Sequence, residues 1–218
     1  MLVVPYTEPE LIISNDIIIV GSSACILSKK YGKRIDKFKE VIRFNRAPVE
    51  GYESYVGSKT TLRITNNSSF DNVDLKDSGY TNQSKDFIKN LRNSHILYFA
   101  HDDVPFMRKN KNAHESSVVY FFDYEKINKI KQYFSFKEEM RVTTGMGFTL
   151  LCISMGIKPT LVGFDTSKNS KLDLDRTHYW EERPPAGEYI PDGGRHSVIY
   201  EKKVFSTLEQ LDLIEIYK

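Results

Sequence analysis

The sequence has 218 residues, 40% apolar and 28% charged, and 31 basic against 29 acidic side chains leave a net charge of +2. These are globular values that exclude a disordered or low-complexity chain and suffice for one substantial α/β domain. No clustered basic stripe stands out, and the short run around Lys109 and Lys111 reads as a solvated loop, so no nucleic-acid partner is expected.

The run Leu11 to Val20 is broken by Ser14, Asn15 and Asp16. It falls far short of the roughly 20 apolar residues that span a bilayer. No transmembrane segment is therefore expected, which leaves peripheral membrane association open. Two cysteines, Cys25 and Cys152, are too few for a disulfide framework and suit a reducing, cytoplasmic setting.

In chain order, the first strong element is Asp16 to Val20, a continuous β-branched run that reads as a strand buried on both faces. It closes on Gly21-Ser22-Ser23, and a short helix is expected through Cys25 to Lys30. Further strands are expected at Glu40 to Phe44, Thr60 to Thr65, His95 to Phe99, Ser117 to Phe121, Leu161 to Phe164 and Leu211 to Tyr217. Helices are expected at Ser84 to Arg92, Tyr124 to Phe134, Gly145 to Met155 and His196 to Leu208. The alternation predicts a mostly parallel sheet with helices on both faces, in a single domain over residues 1–218. Asn66 to Thr81 and Thr166 to Arg195 stay unassigned, and uncommitted stretches of that length read as functional loops.

Four segments can carry chemistry. The turn Gly21-Ser22-Ser23 clears space for a phosphate to approach backbone amides, or is an ordinary tight strand-to-helix turn. Asn45 and Arg46, in Arg43-Phe44-Asn45-Arg46-Ala47-Pro48, follow a strand and fall at the carboxyl edge of the sheet, where open α/β folds bind ligands; Asn45 serves equally well as a turn cap. In Thr143-Thr144-Gly145-Met146-Gly147, Thr144 resembles a helix N-cap and Gly145 leaves room for a carboxylate or phosphate at free amides. His178, in His178-Tyr179-Trp180-Glu181, and His196, five residues before Glu201, can move protons near neutral pH. Asp165 follows Gly163-Phe164 without the paired acid of metal-binding transferases, and no cluster has metal-ligand spacing.

In this order and spacing, the four segments resemble the sialyltransferases of glycosyltransferase family 29. Its large motif is similar to Ile17 to Asn67, through Ile19-Val20-Gly21-Ser22-Ser23, Val41 to Pro48 and Tyr55 to Thr61. The small motif resembles Val142 to Asp165, the third His178 to Glu181, and the very small one His196 to Glu201. The resemblance implies a Rossmann-like GT-A variant, an inverting and metal-independent transfer, and no cofactor beyond the CMP-activated sugar donor. It implies that His196 is the general base on the acceptor hydroxyl and that His178 assists the leaving phosphate. Asn45, Thr144 and Gly145 would hold the nucleotide and the donor carboxylate, and Glu201 would support the helix presenting His196. Tyr179 and Trp180 would either stack on a sugar ring or brace their loop.

The departures from the family pattern are Ser22, where an Asn is usual, and Ile17 and Gly156, where the family carries a cysteine pair. The missing pair suits a reducing compartment, and the expected lack of a membrane anchor and stem also fits a cytoplasmic bacterial or viral relative better than a Golgi enzyme. The expected partners are a CMP-sugar donor and a glycan or glycolipid acceptor. CMP-Kdo transfer, and a protein that binds CMP-sugar without turnover, are the competing readings.

Overall fold

The computed structural model describes residues 2–5, 14–45, 47–66, 95–99, 118–122, 129, 131–135, 142–166, 178–180 and 198–217. Its frame is one eight-stranded sheet of β1 (Leu2–Pro5), β2 (Ile17–Val20), β3 (Glu40–Phe44), β4 (Leu62–Asn66), β5 (His95–Phe99), β6 (Val118–Phe122), β7 (Thr160–Val162) and β8 (Glu215–Ile216). The strand order is β1-β6-β5-β4-β3-β2-β7-β8 and every neighbouring pair is parallel. The order therefore reverses at β2: the chain steps outward through β3 to β6 on one side, then returns to lay β7 and β8 on the other. A reversal of this kind opens a crevice at the carboxyl ends of the two strands beside it.

The β-branched residues of β2 explain its central place. Ile17, Ile18, Ile19 and Val20 are all at most 2% exposed, since helices cover both faces of the sheet. Ile17 and Ile19 join Ile42, Phe44, Leu62, Ile64 and Leu161 on one face. Ile18 and Val20 join Val41 and Val162 on the other. The second face carries a 3₁₀ turn (Ala24–Ser28) and two one-turn helices, α1 (Gly32–Ile35) and α2 (Glu53–Val56). The first face is covered by α3 (Thr144–Ser154) and α4 (Val198–Gln210). Helix α3 is buried from Thr144 through Cys152, as befits a helix that is apolar all round. It ends in a Schellman turn, with Gly156 at φ 73° and the Ile157 N–H donating to the Cys152 carbonyl at 2.9 Å.

The α/β class and the Rossmann-like parallel sheet match the sequence reading, and β3 and β5 have the expected bounds. Several elements differ, each for a local reason. The helix expected at Cys25 to Lys30 is the 3₁₀ turn, capped by Ser23, whose Oγ accepts the Cys25 N–H at 3.2 Å. Strand β4 starts at Leu62, because Thr61 Oγ1 instead accepts the Val41 N–H at 2.9 Å. Strand β7 stops at Val162, because Gly163 turns the chain with φ 73°. The last strand is only Glu215–Ile216: α4 runs on to Gln210, and Asp212 at φ 59° turns the chain out of the helix. Strand β1 and helices α1 and α2 are additions to the expected set, four residues each and too short to show periodicity. Residues 129 and 131–133 of the helix expected at Tyr124 to Phe134 are helical, whereas the helix expected at Ser84 to Arg92 lies outside the described residues.

Candidate active site

The turns after β2 and β7 meet at the switch point. The Gly21 N–H donates to the Val162 carbonyl at 2.7 Å, and the Ser23 N–H to the Gly163 carbonyl at 3.0 Å. A Cβ on Gly21 would overlap the Gly163 carbonyl oxygen, so the close approach of the two backbones requires glycine there. The sequence pattern identified Gly21 as a turn glycine; that its contact is Gly163, 142 positions later, only the fold displays.

At the end of β3, Asn45 adopts φ 44°, a left-handed conformation that asparagine tolerates. Its N–H donates to the Ile64 carbonyl at 2.7 Å, and its own carbonyl accepts Arg63 Nη1 at 2.9 Å. Arg63 Nη1 also reaches the Ala47 carbonyl at 3.1 Å. Arg43, directly opposite Arg63 in the sheet register, donates from Nη2 to the carbonyls of Val56, Gly57 and Lys59 at 2.7, 3.1 and 2.9 Å. Its Nε bonds Thr60 Oγ1 at 2.9 Å. Burial brings both guanidinium pKa values down to about 10, so both remain charged at neutral pH. Arg63 thus holds the chain where it leaves β3, and Arg43 holds residues 56–60 where it returns to β4. Sequence reasoning passed over their role, although a cation in the middle of each of two apolar strands is a readable signal of buried carbonyl partners.

The His178–Trp180 segment docks on this edge. The Tyr179 N–H donates to the Ser22 carbonyl at 3.0 Å, and the Tyr179 hydroxyl donates to the Pro48 carbonyl. Tyr179 is 1% exposed and packs edge-on against Tyr52 at 5.0 Å. Burial pushes its phenol upward, which keeps it a neutral donor. Tyr179 therefore braces the segment. Its neighbours His178 and Trp180 are half-buried, stacked at 4.6 Å with 21° between ring planes, and so sit beside the Gly21–Ser23 turn.

Helix α3 starts one residue earlier than expected. Thr143, not Thr144, is the N-cap: its Oγ1 accepts the Met146 N–H at 3.2 Å, and Thr144 is the first helical residue. Glu201 on α4 accepts the Thr143 N–H at 2.6 Å and the Thr143 hydroxyl at 2.7 Å. Burial raises the Glu201 carboxyl to about 7, against the lowering effect of those hydrogen bonds. Among the described residues, the N–H groups of Thr144 and Gly145 have no partner and remain available to an anion. A Cβ on Gly145 would stand 2.8 Å from the Phe164 ring, so this glycine also makes room for a neighbouring side chain. Phe164, which the sequence reading did not single out, packs against Phe44 and Phe205 at 6.4 and 5.2 Å and links β7, β3 and α4. The following residue, Asp165, is ion-paired with Lys202, the residue after Glu201.

The structure thus brings together Gly21, Ser22, Ser23, Asn45, Thr143, Thr144, Gly145, Asp165, His178, Tyr179, Trp180 and Glu201 around the carboxyl edge. His196 and Arg46 lie outside the described residues. Among the described residues, no group of three or more His, Cys, Asp or Glu side chains has metal-binding geometry, and no helix is long and apolar enough to cross a membrane.

Known proteins share this fold. The chain is 25% identical over 207 residues to human CMP-N-acetylneuraminate-beta-galactosamide-alpha-2,3-sialyltransferase 1, and 27% to the Gallus gallus protein of that name. Each match covers 92% of this chain and 57% of the relative, so the chain spans little more than half the length of these proteins. A crystal structure of a mammalian sialyltransferase in complex with Gal-beta-1-3GalNAc-ortho-nitrophenol has the same fold, with a TM-score of 0.65 and 20% identity over 97% of this chain and 72% of that one. The alpha-2,3-sialyltransferase Cst-I from Campylobacter jejuni aligns with a TM-score of 0.56 and 21% identity, over 97% of this chain and 79% of its own. These matches overturn the expectation of a cytoplasmic bacterial or viral relative, because the relatives named above that match by sequence over nine-tenths of the chain are vertebrate ones. The profile of glycosyltransferase family 29 (sialyltransferase) matches residues 15–213, and the chain belongs to that family.

Proposed function

We propose that the protein transfers sialic acid from CMP-sialic acid to a glycan hydroxyl, with the donor seated at the β2/β7 switch point. The observation that carries this reading is the docking of His178–Trp180 on the Ser22 carbonyl, which sets an imidazole beside a small-residue turn. The unpartnered amides of Thr144 and Gly145, at the positive end of α3, suit the donor's carboxylate or phosphate. Asn45, presented in a left-handed turn that Arg63 holds, suits a polar contact to the nucleotide.

The transfer is a single inverting displacement. His196 takes the proton of the acceptor hydroxyl as the oxygen attacks the anomeric carbon. The bond from that carbon to the CMP phosphate breaks, and His178 with nearby amides stabilises the departing charge. No metal or cofactor takes part in this scheme. The vertebrate relatives matched over most of the chain are named for beta-galactosamide and alpha-2,3 transfer, and a Rattus norvegicus protein matched over 48 residues for a beta-1,4-galactoside, which supports a galactose-containing acceptor here.

A donor screen tests the reading: CMP release is measured with CMP-sialic acid and CMP-Kdo, each with and without a terminal galactoside. Galactoside-dependent release from CMP-sialic acid alone is the expected result. Release from CMP-Kdo in preference would reassign the donor, and CMP binding without release from either would make the protein a binding protein.

A further inference from the structure

Between Lys29 and Lys39 the sequence holds six cations (Lys29, Lys30, Lys33, Arg34, Lys37 and Lys39) against one acid, Asp36. The absence of a basic stripe expected above is corrected by the fold. Around the single turn of α1, Lys30, Lys33, Arg34 and Lys37 line one open cavity of about 540 Å³ together with Asp16, Phe38 and Tyr217. All four cations are exposed, and the two rings are half-buried.

The two nearby acids, Asp16 and Asp36, leave a local excess of cations and form no ion pair with the lysines of the cavity. Asp36 accepts the Ser58 and Lys59 N–H groups, each at 2.9 Å, as well as the Ser58 hydroxyl at 2.9 Å, so its carboxylate is held on the turn before β4. Asp16 accepts the Lys39 N–H at 3.2 Å. Among the described residues, no carboxylate pairs with Lys30, Lys33 or Lys37. The Arg34 guanidinium lies 3.6 Å over the Tyr217 ring, which fixes the aromatic floor beneath the cationic rim. Asp16 precedes β2, Phe38 precedes β3 and Tyr217 follows β8, so the cavity lies along the second face of the sheet, and neither Gly21 nor Gly163 lines it.

We infer that this patch docks the protein on an anionic membrane surface. Three of the four cations are lysines, point charges on flexible stems with no buried donor to orient a single ligand, which suits an array of lipid headgroups better than one small molecule. The Phe38 and Tyr217 rings sit where an aromatic residue meets headgroups. The chain as a whole is only +2, so the attraction is local to this face. Each cation near such a surface contributes roughly fivefold to partitioning, and the four together several hundredfold at low salt.

Co-sedimentation with vesicles tests this independently of the transferase reading. The protein is expected to bind phosphatidylserine-containing vesicles, to ignore pure phosphatidylcholine, and to lose binding as salt rises from about 0.05 to 0.5 M. The triple variant Lys30→Glu, Lys33→Glu, Lys37→Glu keeps the Arg34–Tyr217 contact and should melt like wild type, while its partitioning falls on the order of 100-fold or more. Exchanging Lys203, exposed on α4, for Glu should change it little. Equal binding to neutral and anionic vesicles by wild type would overturn the inference, whatever the variants do. So would salt-insensitive binding, a triple variant that binds undiminished, or a patch that takes inositol hexakisphosphate or duplex DNA while wild type leaves anionic vesicles in solution.

Discussion

Glu201 joins two helices through one residue. Ionised, it accepts from both the N–H and the hydroxyl of Thr143; protonated, its Oε2 can donate to the Thr143 hydroxyl while Oε1 keeps the N–H. With its carboxyl raised to about 7, the folded chain holds a proton between about pH 4.5 and 7 that the unfolded chain has released. Stability contributed by this group is therefore present below about pH 4.5 and declines as the pH rises through about 7, by roughly 3 kcal/mol in full. Glu201→Gln does not titrate, so its advantage over wild type in urea unfolding should grow from pH 5 to pH 7.5. An unchanging difference would remove Glu201 as the source. The glycines separate by what they touch. Gly21→Ala, pressed against backbone, should cost about 3 kcal/mol, whereas Gly145→Ala meets a ring that can shift and should lower the melting temperature less.

Consecutive residues of α4 reach different elements: Glu201 holds the N-cap of α3, and Lys202 pairs with Asp165 at the end of β7. Asp165 is 7% exposed on its side chain, so removing its cation is costly. Lys202→Met should destabilise the protein by roughly 2 kcal/mol, and adding Asp165→Asn should recover most of that in thermal unfolding. A double variant no more stable than the single one would show that the pair does not couple α4 to β7. This clamp also marks what the sequence could convey. His-x4-Glu was readable as a pattern, and the glycine turns were readable because close backbone approach admits few residues. Glu201 on the Thr143 cap, Lys202 as counter-ion of Asp165 and Phe164 against Phe44 and Phe205 depend on contacts between residues far apart in the chain, 58 and 37 positions for the first two, which periodicity does not encode. One-turn helices such as α1 and α2 are equally silent, since four residues cannot show a face.

Across the whole molecule, the parallel order was legible in the alternation of apolar runs with helical segments. The reversal at β2, which decides where the crevice opens, was not, because nothing local distinguishes a strand laid to the left of its predecessor from one laid to the right. The switch point concentrates the glycine turns, Asn45, the α3 amides and the His178 segment at the carboxyl edge, and none of these lines the cationic cavity on the second face. The proposed donor site and the proposed membrane-docking patch thus share no residue. The central claim is that an imidazole-assisted transfer occurs at the carboxyl edge, and its most direct measurement is turnover of CMP-sialic acid by His196→Ala alongside CMP affinity. Turnover should fall by about 10² to 10⁴ with CMP affinity within a few-fold of wild type; a variant that keeps full turnover would contradict the claim.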